Sequence, residues 1–327
     1  MKFRTELTPA PFQTKIGLKN PILSIGSCFA DSMGQRFEAY KFSVQANPFG
    51  TTFNPISIFK LLNYSVSNQF PSKDTYLEHR EIKANYDFHT SFSHENNAVL
   101  EDRINEQVTS VHHFLRDCQW VIITLGTAWV YQRNDNQEIV NNCHKVPARH
   151  FEKRLLTQVE ILDAFKDIYE KLIGINPNIN FIFTVSPVRH VKDSLELNSV
   201  SKSILRTCCH ILTERFDNVL YFPSYELMMD DLRDYRFYKS DMLHPTEDAE
   251  EYIWNKFTQA TFDEETNDFL VAWKKIISAL KHRPFNPHSN DHQNFIITTL
   301  AQLERWSKVV NVDEEISALR RQLIQNN

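Results

Sequence analysis

Five short strand-like runs, each leading through a turn into a helix-patterned stretch, constrain the fold of this chain more than any other feature. The first, Ile22-Leu-Ser-Ile25, stops at Gly26, after which Ala30, Met33, Phe37 and Tyr40 recur at helical spacing. The second, Lys41 to Gln45, enters the turn-rich stretch Ala46 to Pro55, and a helix from Pro55 to Asn63 follows. Trp120 to Leu125 precedes a polar loop and a helix from Arg154 to Ile173. Asn180 to Val185 precedes a helix from Ser199 to Phe216, and Val219 to Phe222 one from Thr246 to Gln259. This alternation predicts an α/β fold: a flavodoxin-like parallel sheet with helices on both faces, binding its ligand at the carboxyl ends of the strands.

Between these units, Leu100 to Cys118 is helical, and Ile82 to Phe92 alternates loosely like an edge strand or hairpin. Only six glycines occur, so each is expected where the backbone demands one. Gly26, Gly34, Gly50 and Gly126 fall in candidate site loops, and Gly174 reads as the stop of the helix that begins at Arg154. Beyond Thr261 the pattern is helical only: Glu264 to Lys281, Asp291 to Val309 and Val312 to Gln325. Residues 1–260 are therefore expected to form the α/β domain. Residues 261–327 are expected to form a helical extension that packs on it or makes a homodimer contact.

Charge and apolar runs narrow the partners. A net charge of -5 with no long basic run argues against a nucleic-acid surface. The amino terminus lacks an apolar signal core and no later run approaches membrane-spanning length, which predicts a soluble, cytoplasmic protein. Five cysteines in no regular framework predict reduced thiols. Asn142-Cys143-His144-Lys145 has no second ligand pair at zinc spacing, so neither a metal nor another cofactor is expected, and the stretch reads as a polar loop beside the substrate. Cys208-Cys209-His210 falls in an apolar helix stripe and reads as core.

The chemistry-bearing residues gather after the strands. Ser27 and Cys28 sit in the strand-to-helix turn, where the first helix amides lack internal partners and can hold a thiolate or an oxyanion. Near the end of the α/β part, Asp241 and His244 stand three apart before Pro245, a spacing that lets the acid accept from the imidazole. The plainer alternatives are a small buried cysteine, a capping acid and a surface histidine. Arg189 and His190 follow a strand end and suit an anion or carbonyl contact.

Gly26-Ser27-Cys28-Phe29-Ala30 spells the signature after which the GSCFA family is named, and the chain resembles that family over roughly residues 20 to 260. Asn142 to Lys145, Ser186 to His190 and Asp241-x-x-His244-Pro245 are similar to further parts of it. The family in turn resembles the SGNH (GDSL-type) hydrolases. That resemblance implies a three-layer α/β/α fold and ester or acyl-transfer chemistry on a nucleophile, an oxyanion hole and a late Asp-x-x-His pair. By position it names Cys28 as nucleophile, with Ser27 the rival one residue away. It gives His244 as base, Asp241 as its partner, and the Gly50 amide as an oxyanion donor. The asparagine of the third hydrolase block is missing from Gly126-Thr127-Ala128, so either another group donates there, Thr127 or Asn47, or His144 or Lys145 if that loop folds over the site, or oxyanion stabilisation is weaker.

Together these readings lead to an expected esterase, deacylase or acyltransferase forming an acyl-enzyme. Its partner would be a small acyl ester or thioester, on an acetylated carbohydrate or a lipid-like substrate. A thiol nucleophile leans toward transfer, since its thioester exchanges with donors such as acyl-coenzyme A. The competing expectation is a binding protein that keeps the pocket for a glycan or acyl ligand without catalysis.

Overall fold

The computed structural model describes residues 4–287 and 289–323. In chain order the first elements are β1 (Ile22–Gly26), α1 (Cys28–Ala39), β2 (Val44–Ala46), α2 (Pro55–Ser67), β3 (Tyr76–His79), β4 (Ile82–Asn85), α3 (Asn97–Asp117) and β5 (Trp120–Leu125). Then come β6 (Trp129–Arg133), β7 (Ile139–Val140), β8 (Phe151–Leu155), α4 (Gln158–Ile175), β9 (Asn180–Val185), α5 (Leu195–Arg215) and β10 (Val219–Tyr221). A short turn α6 (Ser224–Glu226), α7 (Glu247–Thr261), α8 (Glu264–Lys281), α9 (Asn290–Trp306) and α10 (Asp313–Arg320) complete the described chain.

Five of the strands form one parallel sheet in the order β10-β9-β5-β1-β2. The strand order reverses between β1 and β5, which opens a crevice beyond their carboxyl ends. Side chains alternate across the sheet. Leu23, Ile25, Val121, Ile123, Phe181 and Phe183 pack with α2, α3, α4 and α5, whereas Ile22, Trp120, Ile122 and Ile182 pack with α1, α7 and α8. The result is the three-layer α/β/α arrangement that the alternation of elements predicts.

Several boundaries differ from expectation. Arg154 lies in β8 rather than opening a helix, because Phe151–Leu155 pairs antiparallel with β6 and Thr157 starts α4 with a capping box to Glu160. Gly174 does not stop α4, which runs on to Ile175. The second strand is Val44–Ala46 rather than Lys41 to Gln45, since Lys41 takes a left-handed turn at φ 63°. The expected Ile82 to Phe92 segment is the second half of a hairpin, β4, whose partner β3 precedes it. The last expected helix begins at Asp313, and its residues 324–325 lie outside the described chain.

The carboxyl-terminal helices extend the second core rather than standing apart. Phe269, Trp273 and Ile276 of α8 and Ile296 and Leu303 of α9 are buried in it. Trp273 Nε1 donates to Ala39 O at the end of α1, at 2.9 Å. Among the described residues no helix is long and apolar enough to cross a membrane.

Candidate active site

The turn after β1 is built so that only glycine fits. Gly26 has φ +145°, and a Cβ there would lie 2.2 Å from Thr124 O on β5. Its amide donates to Asn47 Oδ1 at 2.7 Å, and Ser27 N donates to Thr124 O at 3.1 Å. Ser27 is the N-cap of α1, its hydroxyl accepting from Phe29 N at 3.4 Å, and it is only 1% exposed. Cys28 is the first residue of the helix and partly exposed. The helix start is expected to favour a thiolate, yet the structure has the thiol pushed up. Burial is the main cause and the Asp31 carboxylate the second, with only the residue's own amide acting the other way.

Asp31, which sequence reasoning did not single out, organises the neighbouring loop. Its carboxylate accepts from Asn47 Nδ2 and from Thr51 Oγ1. An acid in the first turn of the helix behind the signature is the signal that could have found it. Asn47 (φ 41°) and Gly50 (φ 76°) form the turn. The Gly50 amide donates to Asn47 O at 2.8 Å, and a Cβ on Gly50 would meet that of His89 at 2.4 Å. Gly50 is therefore a packing glycine whose amide is already engaged, not the expected oxyanion donor. Asn47 spends its carboxamide on Gly26 and Asp31.

The loop after β5 is engaged in the same way. The amides of Gly126 and Thr127 both donate to Phe53 O. The Thr127 hydroxyl, expected as a substitute for the missing asparagine, bonds Ser201 Oγ at 3.0 Å and accepts from Trp129 N. Behind this loop Lys202, 2% exposed, donates to Gly126 O at 2.8 Å and to Ser186 O at 2.7 Å, tying the ends of β5 and β9 together. Burial pushes its amine down to about 7.

The Asn142 loop lies against the hairpin region. Asn142 donates to Thr90 Oγ1, and His144 Nε2 lies 2.7 Å from Asn85 O, with the ring held below its ordinary value by burial. His144 and Lys145 both have positive φ, and Lys145 is exposed. Asn141 Nδ2 donates to Thr52 Oγ1 at 3.2 Å and so links the loop to the turn-rich stretch after β2. Among the described residues no group of three His, Cys, Asp or Glu side chains comes together that could hold a metal ion.

On the other side, Arg189 N donates to Leu243 O and so joins the loop after β9 to the Asp241–His244 segment. The Arg189 guanidinium stacks on Tyr238 at 4.0 Å. His190 is pushed down to about 4, first by burial and then by Lys202 and His244, so it is a neutral imidazole at neutral pH. Its Nε2 is buried and has no hydrogen-bond partner among the described residues, and its ring meets that of Phe53 edge-on at 5.3 Å.

Asp241 and His244 form the expected pair. Asp241 Oδ2 lies 2.7 Å from His244 Nδ1, while Oδ1 accepts from the amides of Leu243 and His244. These donors, the two amides foremost, hold the carboxyl well below the usual carboxylate range. The tight loop is allowed by Met242 at φ 57°. His244 Nε2 makes no hydrogen bond among the described residues, and no bond joins it to Ser27 or Cys28.

The family model described as "GSCFA family" matches residues 21–257, and one described as "GSCFA domain protein, C-terminal domain" matches residues 273–325. No curated protein matches the chain.

Proposed function

The chain belongs to the GSCFA family, and we propose that it is an SGNH-like acyl-transfer enzyme working through a thioester on Cys28. The observation that carries this reading is the Asp241–His244 pair, in which the acid holds Nδ1 and Nε2 makes no hydrogen bond among the described residues. Cys28 passes its proton to His244 Nε2 as its sulfur attacks the carbonyl carbon of an ester or thioester. The leaving alkoxide or thiolate takes that proton as its bond to carbon breaks. An acceptor then gives its own proton to His244 and attacks the thioester; the bond from carbonyl carbon to sulfur breaks, and Cys28 leaves as a thiolate that takes the proton back from His244. Water as acceptor makes the enzyme an esterase or deacylase; a sugar hydroxyl or an amine makes it a transferase.

Asp241 stays ionised and steadies the imidazolium formed in each half-reaction. The raised thiol means that proton removal accompanies attack, with no standing thiolate. Ser27 is the weaker nucleophile candidate because it is 1% exposed and caps its own helix. The oxyanion donor in this reading is the Cys28 amide at the start of α1, where helix amides lack internal partners.

A second reading, a binding protein for a glycan or acyl ligand, is favoured by the engagement of Gly50, Asn47 and Thr127 in scaffold bonds. Release of 4-nitrophenol from its acetate separates the two. The enzyme reading expects catalysed release that Cys28→Ala and His244→Ala each abolish. Release unaffected by both contradicts it.

A further inference from the structure

Beside His244 lies a trough with no assigned role. A cavity of about 350 Å³ is lined by Arg189, Met229, Arg233, Tyr235 and Tyr238 among others, and a second of about 630 Å³ shares Asp230, Arg233 and Asp234 with it. One wall belongs to the catalytic segment itself. Tyr238 bridges Pro245, Lys239 N donates to His244 O, and Arg189 N donates to Leu243 O. Part of the lining comes from a π-helical turn, Leu227–Asp231, a rare geometry found often at functional sites. That turn is braced from behind, where the buried Asp231 accepts from Arg4, from Leu7 N and from Tyr252.

The charges in the trough are unevenly satisfied. Asp231 is consumed by Arg4, and Asp234 accepts from Arg236 N and lies 4.0 Å from Arg236 Nε. Arg189 and Arg233 have no carboxylate partner among the described residues, and neither has Asp230 a cation. The Arg189 guanidinium lies 4.0 Å from the Tyr238 ring centre and 5.5 Å from that of Tyr235, the two rings being tilted to each other by 46°, and Tyr235 is 65% exposed. Two unpaired guanidiniums suit phosphate oxygens. An exposed aromatic ring suits a stacked base, and a free carboxylate can accept from a ribose hydroxyl or a base amine.

Building on the proposed acyl transfer, we propose that this trough binds the nucleotide end of an acyl-thioester donor of coenzyme A type. Its phosphates lie on Arg189 and Arg233 and its base on Tyr235, and the pantetheine arm runs past His244 toward Cys28. The trough thereby selects a carrier-borne thioester over a simple ester.

Calorimetric titration of the full chain with coenzyme A tests this, with inorganic phosphate and the nucleotide-free thiol N-acetylcysteamine as controls. Saturable binding of coenzyme A is expected, weakened about tenfold by Arg233→Ala and by Tyr235→Ala. No binding, binding that both trough variants leave intact, or phosphate binding as tightly as coenzyme A each overturns the inference. Because coenzyme A carries no acyl group, a Cys28 that fails to acylate refutes the enzyme reading and leaves this result standing.

Discussion

Asp241 reaches His244 from two sides, its Oδ1 accepting the His244 backbone amide at 3.0 Å and its Oδ2 lying 2.7 Å from Nδ1. The acid thus shapes the loop and orients the imidazole at once, and in the proposed mechanism Nε2 is the working nitrogen. Asp241→Asn keeps the shape but presents the wrong partner to Nδ1. Acyl-enzyme formation should fall by about 10²–10⁴-fold, read by stopped-flow release of 4-nitrophenol. A rate within twofold of wild type would make the pair structural.

Cys28 carries a thiol raised above its ordinary 9.0, with Asp31 as the charged contributor. The neutral thiol therefore dominates at neutral pH, and alkylation by iodoacetamide should keep climbing as pH rises past 9. Asp31→Asn removes the negative neighbour, lowers the thiol and speeds alkylation at pH 8 by about two- to fivefold. Peptide mapping separates Cys28 from Cys143, the other partly exposed cysteine. A slower or unchanged Cys28 would contradict the role given to Asp31.

Lys202 is held near pH 7 by burial, whereas a free lysine titrates at 10.5. Between those values the unfolded chain binds a proton that the folded chain has released, so stability rises with pH. The slope is up to about 1.4 kcal/mol per pH unit. Below 7 both states are protonated, so the slope vanishes and the cost of burying the charged amine is at its full size. Urea unfolding from pH 7 to 10 should show the slope in the native chain and lose it in Lys202→Met; equal slopes would mean the amine is charged in the fold.

Gly26 is the least replaceable residue of the turn, since a Cβ would fall 2.2 Å from Thr124 O and φ is +145°. Gly26→Ala should cost about 3 kcal/mol or more by forcing β1 from β5 at the turn before Cys28. Thermal unfolding checks this, and a melting temperature within a degree or two of native would show that the turn can relax.

Which parts of this fold could be read from sequence follows from where the constraints lie. The runs Ile22-Leu-Ser-Ile25, Trp120–Leu125 and Asn180–Val185 are legible because strands buried on both faces are continuous apolar runs. Phe151–Leu155 is not, because its Glu-Lys-Arg centre joins smoothly to a helical pattern and only pairing with Trp129–Arg133 makes it a strand. Cys28, Asp241 and His244 are marked by spacing. Asn47 and Thr127 look like free donors in sequence, since the groups that engage them, Asp31 for one and Phe53 O and Ser201 Oγ for the other, come from elsewhere in the chain, and Gly50 is engaged by the turn it closes with Asn47 O. Lys202 reads as a solvated helix lysine until the ends of β5 and β9 close over it.

The most direct test of covalent chemistry at Cys28 is intact-protein mass spectrometry after brief exposure to acetyl-coenzyme A and to an activated acetate ester, with Cys28→Ala and Ser27→Ala alongside. The prediction is an acetyl adduct on the native chain and on Ser27→Ala that is absent from Cys28→Ala. An adduct lost only in Ser27→Ala would move the nucleophile to the serine. No adduct on any folded form would contradict acyl-enzyme chemistry and leave the binding-protein reading in its place.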